Sequence, residues 1–282
     1  MRAIVLVVDW PTALTDPTAL RTQGLFLAEG RLVLERVLTG AAGGTDAIVA
    51  VLATPAAVTA LSLETRLPGR LTIRSAADME ALTGFNFHRG VLALVRRPPA
   101  QGVDALIRDA IIEGSPRSGL SPEAANRDPA VLVVAEHLVD VDNVGSCFRN
   151  ARAFGAAALL LDERCPDPLY RKAVRTSLGT VLEVPWAHGS MCEILDGLAA
   201  AGVITVGLTP DTTAATLADV GSRVAPQAAV ALIVGNEGLG LSKDTTARCT
   251  HLARVPMADG ADSLNVATAL AVALYEWQMR RH

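Results

Sequence analysis

Glycines at 235, 238 and 240 lie in the segment Gly235-Asn236-Glu237-Gly238-Leu239-Gly240, directly after the apolar run Ala228 to Val234. A buried strand that runs into such a turn can bring its backbone against a ligand, because glycine has no Cβ and tolerates φ > 0. Dinucleotide folds place a turn of this kind after their first strand. Here it follows a late one, with a strand and a helix still to come. That order points to a nucleotide-like cofactor held at the C-terminal end of the domain. Polar groups gather in two further stretches: Asn143-Val144-Gly145-Ser146-Cys147-Phe148-Arg149-Asn150 upstream, and Ser263-Leu264-Asn265 shortly after Val255-Pro256-Met257. Each has a plainer structural role. Asn143 or its neighbour Asp142 could cap a helix, as could Ser263, whereas Asn265, inside the first turn of the last helix, has less structural reason to be there. An exposed helix arginine such as Arg149 or Arg152 commonly pairs with a carboxylate. Val255 and Leu264, taken singly, would be core residues, and His137 and His251 lie beside strands as structural histidines.

The elements that must position these groups alternate. Strands are expected at Val131–Ala135, Ala157–Leu161, Val181–Val184, Val203–Gly207, Ala229–Val234 and Leu252–Val255. Helices fit between and after them at Val144–Phe154, Leu169–Ser177, Met191–Ala201, Ser242–Cys249 and Leu264–Met279. Near-continuous apolar strands separated by helices imply a parallel sheet covered on both faces. Upstream, strands at Ile4–Val8, Ala47–Ala53, Leu71–Ile73 and Val91–Val95, with helical spacing over Leu32–Leu38, Ala56–Leu63 and Asp78–Leu82, predict a small α/β domain. The stretch 113–130, with its prolines and glycines, reads as a linker. The expected organisation is therefore a first domain over 1–112, a linker over 113–130 and a second domain over 131–282.

The 282 residues suffice for two such domains, and 50% apolar with 19% charged content suits a soluble globular chain. No apolar run reaches the roughly 18 residues of a membrane helix, and Ile4–Val8 is stopped by Asp9. The four cysteines form no CxxC pair, so reduced thiols in the cytoplasm are expected and metal-ligand spacing is absent. A net charge of −4 does not advertise a nucleic-acid binder. Residues 1–120 carry 12 basic and 11 acidic side chains, and residues 121–282 carry 13 and 18, so any RNA contact must come from local patches. All the basic residues are arginine except Lys172 and Lys243.

Together, Asn143 through Gly155, the turn at 235–240, Val255-Pro256-Met257 and Ser263-Leu264-Asn265 resemble the motifs of the SpoU family, RNA ribose 2′-O-methyltransferases of the SPOUT superfamily. Arg175-Thr176-Ser177-Leu178-Gly179 leading to Val184-Pro185 is similar to a further family stretch, and the likeness spans about 131–282. It implies S-adenosylmethionine as cofactor, no metal, a deep trefoil knot formed by the chain after Gly235, and a homodimer through the C-terminal domain. It also implies that backbone groups of Gly235, Val255 and Leu264 bind the cofactor, with Met257, Thr209, Asn236 and Gly238 completing the pocket. The same resemblance makes Arg149, Asn143, Glu237, Ser263 and Asn265 the catalytic set. A guanidinium does not readily give up a proton, so a phosphate clamp that orients the ribose suits Arg149 better than a general base. Leu239 stands where many relatives carry a polar residue, and Cys147 where an aliphatic is common.

Gly24-Leu25-Phe26-Leu27-Ala28-Glu29-Gly30 and His88-Arg89-Gly90-Val91-Leu92-Ala93 resemble the ribosomal-protein-like substrate domain of many SpoU enzymes. That module favours ribosomal RNA of the large subunit as substrate. The alternatives are a tRNA ribose methyltransferase and an RNA-binding protein of the same fold without catalysis. A dinucleotide-dependent oxidoreductase is disfavoured by the late position of the glycine-rich turn.

Overall fold

The computed structural model describes residues 10–83, 90–115 and 128–280. The expected strand Ile4–Val8, the pair His88-Arg89 and most of 113–130 lie outside these residues. Two compact units emerge, one of residues 1–99 with 167–183, the other of 100–166 with 184–282.

The first unit begins with α1 (Trp10–Thr15), α2 (Pro17–Thr22), β1 (Leu25–Glu29) and α3 (Arg31–Leu38). It continues through β2 (Ile48–Ala53), α4 (Pro55–Leu61), α5 (Leu63–Arg66), β3 (Leu71–Ile73), α6 (Ala76–Thr83) and β4 (Val91–Arg96). Helix starts follow local chemistry. Asp16 and Thr54 accept hydrogen bonds from Ala19 N and Ala57 N, and a proline follows each cap. In α3, Val33, Leu34, Val37 and Leu38 form one buried stripe. The sheet runs β1-β4-β2-β3, antiparallel except for the parallel β2–β3 pair. Leu27, Leu52, Leu92 and Leu94 close its core against Trp10, Leu20 and Met79.

Past β4 come α7 (Val103–Glu113), β5 (Val131–Ala135), α8 (Val141–Ala153), β6 (Ala158–Asp162), α9 (Arg171–Thr176), β7 (Trp186–Gly189) and α10 (Met191–Ala200). The chain ends with β8 (Ile204–Leu208), β9 (Ala215–Thr216), α11 (Leu217–Arg223), β10 (Val230–Val234), α12 (Lys243–Arg248), β11 (His251–Arg254) and α13 (Val266–Met279). Among the described residues the second sheet is wholly parallel, in the order β7-β6-β5-β10-β8-β11-β9. Every residue of β5, β6 and β10 is buried, as parallel strands covered on both faces require. No described helix is long and apolar enough to cross a membrane.

The units depart from the expected boundaries in two places. Helix α7 belongs to the second unit: Val103, Leu106, Ile107 and Ala110 enter its core with Leu132, Leu160 and Ile194. Gly189 permits the close approach, since a Cβ there would lie 2.6 Å from Val103 Cγ2. The stretch 113–130 thus begins and ends within one unit, and its ends are joined by the Ser115–Asp128 bridge. The crossing falls instead after Pro99. The second departure is 167–183, from the middle of the second half, which belongs to the first unit. There α9 packs on β1, and Arg171 Nε donates to Glu29 at 2.7 Å. Arg36 pairs with Glu183 and donates to the Leu178 carbonyl, and Arg97 pairs with Asp167 at 2.7 Å.

The strand expected at Val181–Val184 is a 3₁₀ turn over Thr180–Leu182, and the sheet strand lies at Trp186–Gly189. Pro185 has no N–H to donate, but its carbonyl accepts from Leu159 N at 3.0 Å and opens the pairing. The strand at Leu25–Glu29 and the elements α1, α2, α7, β9 and α11 have no counterpart among the expected ones.

Removing residues 1–99 strips α9 of β1 and of the acceptors for Arg171. A fragment of 100–282 is expected to be cleaved by trypsin at Arg171, Lys172 or Arg175 well before the full chain is. Equal protection of these sites in both proteins would show that 167–183 holds its conformation without β1.

Candidate active site

The glycine-rich turn leaves the C-terminal end of β10, near the middle of the parallel sheet. Its hairpin is closed by Asn236 and Gly240, with N···O distances of 3.0 and 2.9 Å. The Asn236 side-chain oxygen accepts from Gly238 N and Leu239 N, both at 2.9 Å, while its amide donates to the His137 carbonyl at 2.9 Å. Gly235 is dictated by contact: a Cβ would stand 2.4 Å from the Gly240 carbonyl carbon and 2.5 Å from Leu241 N. Glu136, 2% exposed, fastens the far side, accepting from Ser242 N at 3.0 Å and Thr245 Oγ1 at 2.8 Å. The turn is therefore clamped to the loop that follows β5.

Glu237 completes this clamp. Its carboxylate accepts from Val139 N and Asp140 N, each at 3.1 Å, and from the Asn143 amide at 2.8 Å. The Asn143 oxygen accepts in turn from the Asn265 amide at 2.9 Å. The Asn265 oxygen accepts from Ala267 N at 2.9 Å and Thr268 N at 3.2 Å. A carboxylate at one end can only accept and backbone N–H groups at the other can only donate, so both amides have one self-consistent orientation. Glu237, Asn143 and Asn265 thus tie the turn to the first turns of α8 and α13.

These contacts correct two sequence expectations. Asn143 does not cap α8; Asp140 does, accepting from Asp142 N at 2.9 Å. Ser263 does not cap α13; Asn265 does, and this is the structural reason for an asparagine there. Side-chain competition for backbone donors at a helix start is decided by which residue has extended φ/ψ, and sequence spacing leaves that open.

Partial burial pushes the Glu237 carboxyl up, but the hydrogen bonds from Asn143 and from backbone N–H groups outweigh it and hold it below the ordinary carboxylate range. A carboxylate so saturated with donors is a poor proton acceptor, which makes Glu237 an anchor. The sign of the pH effect follows. With a depressed folded pKa, its stabilisation is present above the unfolded value of about 4.3 and is lost as pH falls through the folded one. Glu237→Gln is expected to lower Tm at pH 7 by about 2–4 °C, the effect of about 1 kcal/mol of weakened charge-assisted hydrogen bonding. The gap between variant and wild type should close on acidification below pH about 4. A gap unchanged down to acid unfolding would remove the carboxylate from this role.

Beside the relay lies a cavity of about 450 Å³. Its lining includes Thr209, Gly235, Asn236, Glu237, Gly238, Val255, Met257, Ser263, Leu264 and Asn265. All seven residues expected at a cofactor therefore share one cavity, with three of the five expected catalytic ones. Leu208, Pro210, Asp262, Val266 and Ala269 line it too and were not singled out. Asp262 and Val266 flank the Ser263–Asn265 motif, so adjacency was the available signal. The backbone groups of Gly235, Val255 and Leu264 form no hydrogen bond among the described residues, so three separate segments of the lining have backbone donors and acceptors available to a ligand. That suits a heteroaromatic edge.

Arg149 is elsewhere. It is exposed on α8, its side chain makes no hydrogen bond or ion pair among the described residues, and it does not line the cavity. At 100° per residue it stands about 120° round the helix from Asn143, whereas Asn150 shares the Asn143 face and donates to the Ala267 carbonyl at 2.7 Å. The thiols near the site are inert. Burial pushes Cys147 and Cys165 up to about 12 and Cys249 up to about 11. No cluster of His, Cys, Asp and Glu among the described residues could hold a metal ion.

The sequence model of the SpoU rRNA Methylase family matches residues 130–275. An uncharacterized tRNA/rRNA methyltransferase of Mycobacterium bovis is 36% identical over 262 residues, covering 90% of this chain and 81% of that protein. Two solved structures share the fold. The AdoMet-bound rRNA methyltransferase of Sinorhizobium meliloti has a TM-score of 0.75 at 22% identity, covering 99% of this chain and 95% of that one. The SpoU methyltransferase AviRb of Streptomyces viridochromogenes, in complex with AdoMet, has 0.74 at 23%, covering 96% of each.

Proposed function

The chain belongs to the SpoU rRNA Methylase family, and from that premise we propose that it methylates a ribose 2′-hydroxyl of large-subunit ribosomal RNA with S-adenosylmethionine. The observation that carries this reading is the cavity at the end of β10, lined by three separated motifs and braced by the Glu237–Asn143–Asn265 relay. When bound, S-adenosylmethionine supplies a methyl group activated as a sulfonium.

This chain's residues hold and orient. Unpaired backbone groups of Gly235, Val255 and Leu264 take the adenine edge, and Met257, Thr209, Asn236 and Gly238 shape the rest of the pocket. The relay keeps the turn, α8 and α13 in fixed register, with Ser263 and Asn265 both in the lining of the cavity. Positioning of this kind can supply several kcal/mol of the barrier reduction. Arg149 clamps a phosphate next to the target ribose and stabilises the charge that develops on the 2′-oxygen as its proton leaves.

Arg149 lies outside its own chain's cavity, which supports a homodimer through the C-terminal unit in which the partner's Arg149 completes the site. The exposed apolar side chains Val272, Tyr275 and Met279, three to four residues apart on α13, offer a face for such a contact. The family likeness further supports a trefoil knot in the chain beyond Gly235 and a substrate-binding role for the first unit.

The test is transfer of labelled methyl from S-adenosylmethionine to purified ribosomal RNA and, separately, tRNA, with nucleoside analysis of the product. A 2′-O-methylated nucleoside in large-subunit RNA is expected. Label confined to tRNA would overturn the substrate, base methylation would overturn the reaction, and RNA binding without transfer would leave a non-catalytic member of the fold.

A further inference from the structure

The charged side chains that line the cavity at the end of β10 are both carboxylates, Glu237 and Asp262. They are not equivalent. Glu237 accepts from Val139 N, Asp140 N and the Asn143 amide, so its lone pairs are largely committed within the protein. Asp262 is exposed, and its carboxylate makes no hydrogen bond or ion pair among the described residues. The backbone anchors it on both sides. Upstream, Ala261 N donates to the Ala258 carbonyl at 3.2 Å, in a turn where Gly260 takes a φ of 81°. Downstream, Asn265 caps α13 and is tied to Asn143. A free anion is therefore carried on a short, anchored segment of the lining, next to Ser263.

Charge separates the cofactor from its product. S-adenosylmethionine has a sulfonium centre and carries one net positive charge, whereas demethylated S-adenosylhomocysteine has a neutral thioether at the same atom. The two molecules are otherwise alike, adenine, ribose, α-ammonium and carboxylate included. A carboxylate close to the sulfur is attracted to the first and gains nothing from the second. Between fully exposed groups such a pair is weak. A ligand seated in the cavity covers part of the carboxylate, and the same attraction strengthens as water is displaced.

We propose that Asp262 faces the sulfonium and sets the preference of the site for S-adenosylmethionine over S-adenosylhomocysteine. In the proposed reaction the methyl group is presented beside Ser263 and Asn265, and Asp262 precedes Ser263 in the same lining. Consecutive residues stand only about 3.8 Å apart at Cα, which puts the carboxylate within reach of the same part of the ligand. The proposal rests on S-adenosylmethionine being the cofactor and is independent of which RNA accepts the methyl group.

The experiment is calorimetric titration of the full-length protein with three ligands: S-adenosylmethionine, S-adenosylhomocysteine and sinefungin, which carries an ammonium in place of the sulfonium. Asp262→Asn keeps the shape of the side chain and removes its charge. It should weaken S-adenosylmethionine and sinefungin by about three- to tenfold and leave S-adenosylhomocysteine within about twofold. The difference should shrink as salt rises, because the carboxylate is open to solvent. Asp262→Glu should keep part of the preference. Asp259→Asn removes an exposed carboxylate of the same loop that does not line the cavity, and all three affinities should stay within about twofold of wild type. Equal loss of all three ligands in Asp262→Asn would move the carboxylate to the shared α-ammonium and overturn the proposal. Unchanged binding of all three would also overturn it, while leaving S-adenosylmethionine as the cofactor. A wild type that binds neither S-adenosylmethionine nor S-adenosylhomocysteine would refute the cofactor assignment and the proposal with it.

Discussion

Replacing Arg149 by Ala should lower methyl transfer by about 10²–10³-fold, the cost of removing one charged stabiliser from a developing oxyanion, while leaving the affinity for S-adenosylmethionine within twofold. The separation of the two effects follows from placement. Arg149 is exposed on α8, on a different face from Asn143, and contributes nothing to the lining of the cavity. Removing its side chain breaks no hydrogen bond among the described residues, so the variant should keep the wild-type Tm. Calorimetric titration of the cofactor and a methyl-transfer assay on the same preparation read both quantities. Equal loss of binding and transfer would move Arg149 into the cofactor site. The dimer adds a sharper test. Leu264 lines the cavity and is 38% exposed, so Leu264→Arg should plug it without disturbing the core. Mixed with Arg149→Ala subunits at equal amounts, it should restore about a quarter of wild-type sites, because half the dimers are mixed and each has one intact site. No recovery after subunit exchange has been verified would confine Arg149 to its own chain.

Gly235→Ala should be among the most damaging single methyl additions to the described residues. The added Cβ would meet backbone atoms of Gly240 and Leu241 at 2.4–2.5 Å, and no rotamer can relieve a clash between backbones. Opening the hairpin to make room would break the Asn236–Gly240 pair and pull Glu237 from Val139, Asp140 and Asn143. A loss of about 3 kcal/mol or more in stability is expected, with cofactor binding reduced below detection. Gly238→Ala is the control, since its Cβ would find only the Asn236 oxygen at an ordinary 3.6 Å. It should fold with near wild-type stability. Similar Tm values for the two variants would show that the turn can shift freely, contrary to the clamp described above.

Features that depend on neighbours along the chain can be read from residue order. The parallel strands at 131–135 and 230–234 were legible because burial on both faces leaves an unbroken apolar run. The turn at 235–240 was legible because glycine's freedom is a property of the residue. Motif resemblance grouped Thr209, Val255, Met257 and Leu264 with that turn, and they share its cavity. The tertiary structure alone decided the partnerships between distant segments. Asn143 had a cap's composition and proved to be a bridge, because Glu237 and Asn265 arrive from 94 and 122 residues away and offer it a better acceptor and donor than its own helix start. Residues 167–183 left the unit that surrounds them in sequence because buried Glu29 supplies a partner for Arg171 across 142 positions. Helix α7 left the unit before it because Gly189 lets its apolar stripe reach the second core. Burial and charge pairing are settled by proximity in space, and periodicity along a chain carries no record of which distant side chain will be there.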